Sequence, residues 1–128
     1  MRFAGYAALF DRLDLGGDVV RRGAFGRIGP VPLLWEHRGG QPVGRVDYLK
    51  EDARGLRVIA TVTDKRAARL LGAGAVTGLS FGYRVRSARG VAPRELTGLE
   101  LVEVSLVNFP MQPAARVHAV DAGVGSAS

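Results

Sequence analysis

Short blocks of Val, Leu, Tyr and Phe, punctuated by Gly, Pro and Asp, run through this chain, and that spacing is the mark of strands joined by turns. Alternation is cleanest from Arg54 to Thr63, where Leu56, Val58, Ala60 and Val62 fall on one face. With Val43 to Leu49 and the turn Lys50 to Ala53, this segment predicts a hairpin. Upstream, Arg2 to Phe10 reads as a first strand, Asp11 to Asp18 as a solvated loop, and Val19 to Phe25 as a brief strand and turn that buries Phe25. The block Pro30 to His37 lines up Val31, Leu33, Trp35 and His37, with Arg38 to Pro42 as the turn that follows. One helix is expected over Lys65 to Leu71, capped by Thr63 or Asp64 and stopped by Gly72 and Gly74. Gly78 to about Arg86 and Leu99 to Val107 are the last long strands, separated by a basic loop from Ser87 to Thr97. The pattern predicts a mainly β fold, a barrel or sandwich with one or two short helices. Residues 1–117 form the expected domain, and 118–128 the expected flexible C-terminal tail.

Composition narrows this picture. A chain of 128 residues, 47% of them hydrophobic, can bury one core and is too small for two. The absence of cysteine excludes disulfides, thiolate metal sites and a cysteine nucleophile. A formal charge of +6 favours acidic partners, yet no run of five basic residues marks a nucleic-acid tail, and aromatic residues are not interleaved with Arg as a stacking platform requires. No signal-peptide core follows Met1, and no apolar run reaches membrane-spanning length, so a soluble chain with no membrane partner is expected. Three aspartates between Asp11 and Asp18 invite a calcium reading, but the closing bidentate Glu of such loops is missing. No metal or cofactor is expected.

Three residues carry candidate chemistry. Ser80 stands between Gly78 and Gly82 in an apolar, aromatic strand, where glycines can let another backbone approach closely. His37 ends an apolar block, a place suited to a general base. Glu103 is the one carboxylate of Leu101 to Val107, largely apolar on both faces, and a buried carboxylate needs a hydrogen-bonding or cationic partner. Taken alone, Ser80 also fits a bulged or edge strand, and His37 an ordinary strand-end histidine. Ser105, in a Val- and Leu-rich strand without flanking glycines, reads as a core hydroxyl.

Together these landmarks resemble the prohead maturation serine proteases of tailed bacteriophages, related in fold to the herpesvirus capsid-assembly proteases. The resemblance runs from Gly5 to about Val117. It rests on Asp18-Val19-Val20 with Gly23-Ala24-Phe25, Val31 to His37, Pro42-Val43-Gly44-Arg45, Gly55-Leu56, Gly78 to Tyr83, and Glu103 to Val107 with Pro110. It implies a β-barrel with a few short helices, with Ser80 as nucleophile, His37 as general base and Glu103 as third member of the triad. His118, the only other histidine, is the alternative for that third place. The resemblance also implies cleavage of the scaffolding protein and of segments of the major capsid protein, and autocleavage, inside the procapsid assembling in the host cytoplasm. A homodimer is compatible with it, and nucleic acid is not expected as a specific ligand. Two rival readings stay open: a basic β-barrel module that binds nucleic acid, and an inactive capsid or scaffold component that keeps the protease fold.

Overall fold

The computed structural model describes residues 1–121. Its eight strands are β1 (Arg2–Leu9), β2 (Asp18–Val20), β3 (Pro32–Trp35), β4 (Gly44–Glu51), β5 (Gly55–Val62), β6 (Gly78–Arg89), β7 (Arg94–Val107) and β8 (Val117–Asp121); the one helix among the described residues, α1, spans Lys65–Gly72. All strands belong to one sheet, ordered β2-β7-β3-β4-β5-β1-β8, with β6 paired to β7 off that path.

The predicted alternation of β5 places its inward side chains as expected: Leu56, Val58 and Ala60 are fully buried and Val62 nearly so. They join Phe3 of β1, Leu33 of β3, Leu79 of β6 and Leu96 and Leu106 of β7 in a single core. Burying each large side chain of this kind contributes roughly 1.5–3 kcal/mol. α1 adds Ala67 and Leu71 to the core, and its N-cap is Asp64, whose carboxylate accepts from the Ala67 amide at 2.9 Å. The aspartates of the first loop are engaged locally rather than gathered round an ion: Asp14 accepts from Gly16 and Asp18 amides, Asp11 pairs with Arg21, and Asp18 with Arg94.

Two expectations are corrected here. The sheet does not close into a barrel, and the described residues hold one short helix, in line with the one or two the pattern predicts and fewer than the resemblance implies. Closure needs a continuous ladder round the ring, but β6 meets the chain before β8 through one isolated bridge, Gly78 with Arg116, after which β8 pairs along β1 instead. Beyond Gly82, β6 and β7 continue as a long antiparallel ribbon, with β2 on the other edge of β7 at Arg94–Leu96. Arg84 and Arg86 with Glu100, and Arg89 with Glu95, form exposed ion pairs along it, while Leu96 and Leu99 of β7 turn into the core. The same ribbon replaces most of the loop expected from Ser87 to Thr97, and the hydroxyls of those two residues bond across it at 2.9 Å.

The C-terminal segment continues as β8 through Asp121, and the rest of the expected tail, residues 122–128, lies outside the described residues.

Candidate active site

β7 organises the site. It pairs antiparallel with β6, placing Ser80 opposite Ser105 and Gly82 opposite Glu103. Paired residues of an antiparallel ladder share a face, and so do residues two apart, so all four lie on one face of the β6–β7 ribbon. On its other edge β7 pairs in parallel with β3, Leu34 beside Ser105 and Trp35 beside Leu106. The chain leaving β3 therefore runs beside Leu106 and the end of β7.

There it turns sharply. Glu36 and His37 both adopt left-handed backbone angles, φ 52° and 60°, and the Arg38 amide closes the turn on the Trp35 carbonyl at 2.9 Å. His37 thus sits in the turn itself, not at the end of an alternating strand as its spacing suggests. Each non-glycine residue held this way costs roughly 1–3 kcal/mol, so surrounding contacts must hold it. Four hydrogen bonds do so. The Glu36 amide donates to the Leu106 carbonyl at 2.9 Å, the Asn108 amide to Glu36 Oε1 at 2.5 Å, the His37 amide to Ser105 Oγ at 3.1 Å, and His37 Nδ1 meets Glu103 Oε2 at 2.6 Å.

Glu103 is buried, and its second oxygen, Oε1, accepts from Ser105 Oγ at 2.8 Å. With Glu103 ionised, Nδ1 must carry the imidazole proton, which leaves Nε2 as the proton acceptor. The glycine opposite makes room for this carboxylate: a Cβ on Gly82 would lie 2.6 Å from Glu103 Oε2. Gly78 is likewise filled from within the chain, by the Val107 carbonyl and Pro110. Gly78 thus admits another backbone, as its place in the strand suggested, whereas Gly82 admits a side chain.

Ser80 and His37 line one small cavity of about 100 Å³, walled also by Phe81, Tyr83, Asp14 and Gln112. No hydrogen bond among the described residues joins the two. Every buried side-chain polar atom of the described residues has a partner. Ser80 Oγ has none, so it keeps access to the cavity although the residue is only 7% exposed. Burial raises the Tyr83 phenol above its ordinary value, with the charges of Asp18 and Asp14 adding to the rise, so the wall it forms is neutral at physiological pH. Gln112 fixes the far side by clamping Leu9, accepting from its amide at 2.5 Å and donating to its carbonyl at 3.2 Å.

His118 lies elsewhere. It lines a separate groove with Arg12, Arg54 and Arg116, and its ring meets Arg57 and Tyr6. Among the described residues no cluster of three or more His, Cys, Asp or Glu could hold a metal. No helix of the described residues is long and apolar enough to cross a membrane.

A family model described as Caudovirus prohead serine protease matches residues 1–126. The chain belongs to this family. It is 32% identical over 133 aligned residues to the prohead protease of Enterobacteria phage HK97, an alignment that takes in 92% of this chain. The chain spans 59% of the length of that relative. Among solved structures it is similar to the KSHV protease in complex with a hexapeptide phosphonate inhibitor, with a TM-score of 0.65 and 14% identity over 94% of this chain and 65% of that one. At that identity the likeness establishes a shared fold, the herpesvirus capsid-protease fold. Ser105 is buried, as expected of a core hydroxyl, but nothing in the sequence signals its bond from the His37 amide, which the register of β3 beside β7 and the turn after β3 bring about.

Proposed function

We propose that this family member is a serine endopeptidase of prohead maturation, with Ser80 as nucleophile, His37 as general base and Glu103 as the residue that orients and stabilises the imidazolium. The observation that carries this reading is the 2.6 Å contact of His37 Nδ1 with the buried Glu103 carboxylate, on a histidine that lines the same cavity as Ser80. His37 Nε2 takes the proton of Ser80 as Oγ bonds to the carbonyl carbon of a substrate peptide. The carbonyl π electrons move to oxygen, then return to expel the amine, which leaves with the proton held on Nε2. Water, deprotonated by the same Nε2, attacks the acyl-serine, and Nε2 passes that proton to Ser80 Oγ as the ester bond breaks, releasing the new carboxyl end and restoring Ser80. The absence of a Ser80 to His37 hydrogen bond in the free enzyme is compatible with this chemistry, because such bonds often tighten only around bound substrate.

His118 is set aside as the third member, since Glu103 occupies Nδ1 of His37 and His118 lines another groove. The substrates we assign are the scaffolding protein and segments of the major capsid protein, cut inside the assembling procapsid, with autocleavage. The experiment is cleavage of the cognate coat and scaffold proteins by wild type beside Ser80→Ala. Fragments that depend on Ser80 support the reading, and identical intact bands overturn it.

A further inference from the structure

Ser105 is fully buried at the centre of the His37 and Glu103 arrangement. A serine hydroxyl offers one proton and two lone pairs. Here the proton goes to Glu103 Oε1 at 2.8 Å, and a lone pair takes the His37 backbone N–H at 3.1 Å. Glu103 Oε2 meets the imidazole at 2.6 Å. The hydroxyl therefore links the backbone of the histidine to the carboxylate that the ring of the same histidine contacts, closing a ring of hydrogen bonds through His37, Glu103 and Ser105.

We propose that Ser105 is a positioning residue of the active site, fixing the left-handed backbone of His37 and the rotation of the Glu103 carboxylate at the same time. The proposal rests on the assignment of Ser80, His37 and Glu103 made above. A hydroxyl needed only for packing would be replaceable by a methyl group. A hydroxyl that holds both partners is not, because without it Glu103 Oε1 loses its donor and the His37 amide its acceptor. Ser105 also stands directly opposite Ser80 in the β6–β7 register, so its strand backs the nucleophile while its side chain holds the base.

The test compares Ser105→Ala with wild type, and the near-isosteric pair Ser105→Thr and Ser105→Val, which differ by the hydroxyl. Cleavage of the cognate coat and scaffold proteins gives one readout. The low-field NMR resonance of the His37 Nδ1 proton gives a second that does not depend on turnover. Ser105→Ala should fold, cleave roughly 10- to 100-fold more slowly, the loss typical when the outer hydrogen-bond partner of a working histidine is removed at a metal site, and show a shifted or exchange-broadened Nδ1 resonance. Ser105→Thr should retain the resonance, and Ser105→Val should lose it. Wild-type cleavage and an unmoved resonance in Ser105→Ala overturn the proposal. If Ser105→Ala does not fold, equal resonances in the Thr and Val variants overturn it. If wild type and Ser80→Ala cleave alike, the triad reading fails, while the resonance still decides whether Ser105 holds His37.

Discussion

Glu103 occupies the space that Gly82 leaves empty: a Cβ at position 82 would stand 2.6 Å from Glu103 Oε2 and 2.9 Å from its Cδ. The glycine is thereby tied to the carboxylate that contacts His37 at 2.6 Å. Gly82→Ala should push that carboxylate off its present position. The expected outcome is a drop in cleavage rate of roughly 10- to 100-fold, with about 1–3 kcal/mol lost in stability through overpacking. Kinetics and urea unfolding on the same preparation check both; full activity in the folded variant would detach Gly82 from the site.

The two candidates for the third place separate by substitution. Glu103→Gln keeps the side chain's shape but presents an amide to Nδ1, removing the charge that stabilises an imidazolium and permitting the wrong tautomer. Cleavage should fall by roughly four orders of magnitude. His118→Ala, in another groove, should leave the rate within about twofold, since exposed positions away from the site have small effects. The reverse ranking would give the third place to His118.

Acid stability should report the pairing of β2 with β7. A hydrogen bond from Arg94 holds the Asp18 carboxyl below its ordinary value of 3.8, partly offset by burial, and the charge of Arg94 lowers it further. A carboxyl depressed in the folded state stabilises that state above its unfolded pKa, and the contribution disappears as pH falls through the folded value. Asp18→Asn should therefore be less stable than wild type near neutrality, and the gap should narrow as pH drops below about 4. Urea midpoints across pH 2–7 measure it. A gap that stays constant through the acid range would show that the pair contributes nothing through its charge.

Much of this was legible in the residues because it is local. The alternation of Leu56, Val58, Ala60 and Val62 marks β5 without help from distant contacts, and Thr63 and Asp64, the two cap candidates before Lys65, mark the start of α1, where Asp64 takes the cap. Glu103 could be read as a buried carboxylate in search of a partner because its neighbours are apolar. What escaped depends on contacts far apart in sequence or on backbone angles that residue type does not announce. The turn at Glu36 and His37 uses left-handed angles normally signalled by Asn or Gly, while the obvious turn residues, Gly39 and Gly40, follow it. The parallel pairing of β3 with β7 joins segments about seventy residues apart in the chain, so the hydrogen bond from the His37 amide to Ser105 had no local signal. The stretch from Ser87 to Thr97 is rich in charge and resembles a loop until Arg89 is seen to face Glu95 across the β6–β7 pair. Closure of the sheet, too, is a property of which edges meet, and alternation along single strands is silent about it.

The central claim is that Ser80 attacks the peptide bond. The most direct measurement is the rate at which purified wild type and Ser80→Ala cut the cognate scaffold and coat proteins, read by intact-mass analysis of the products. The account predicts defined fragments with wild type and a rate lower by roughly four orders of magnitude or more with Ser80→Ala. Equal cleavage by the two proteins, or none by wild type on its confirmed substrate, would contradict it.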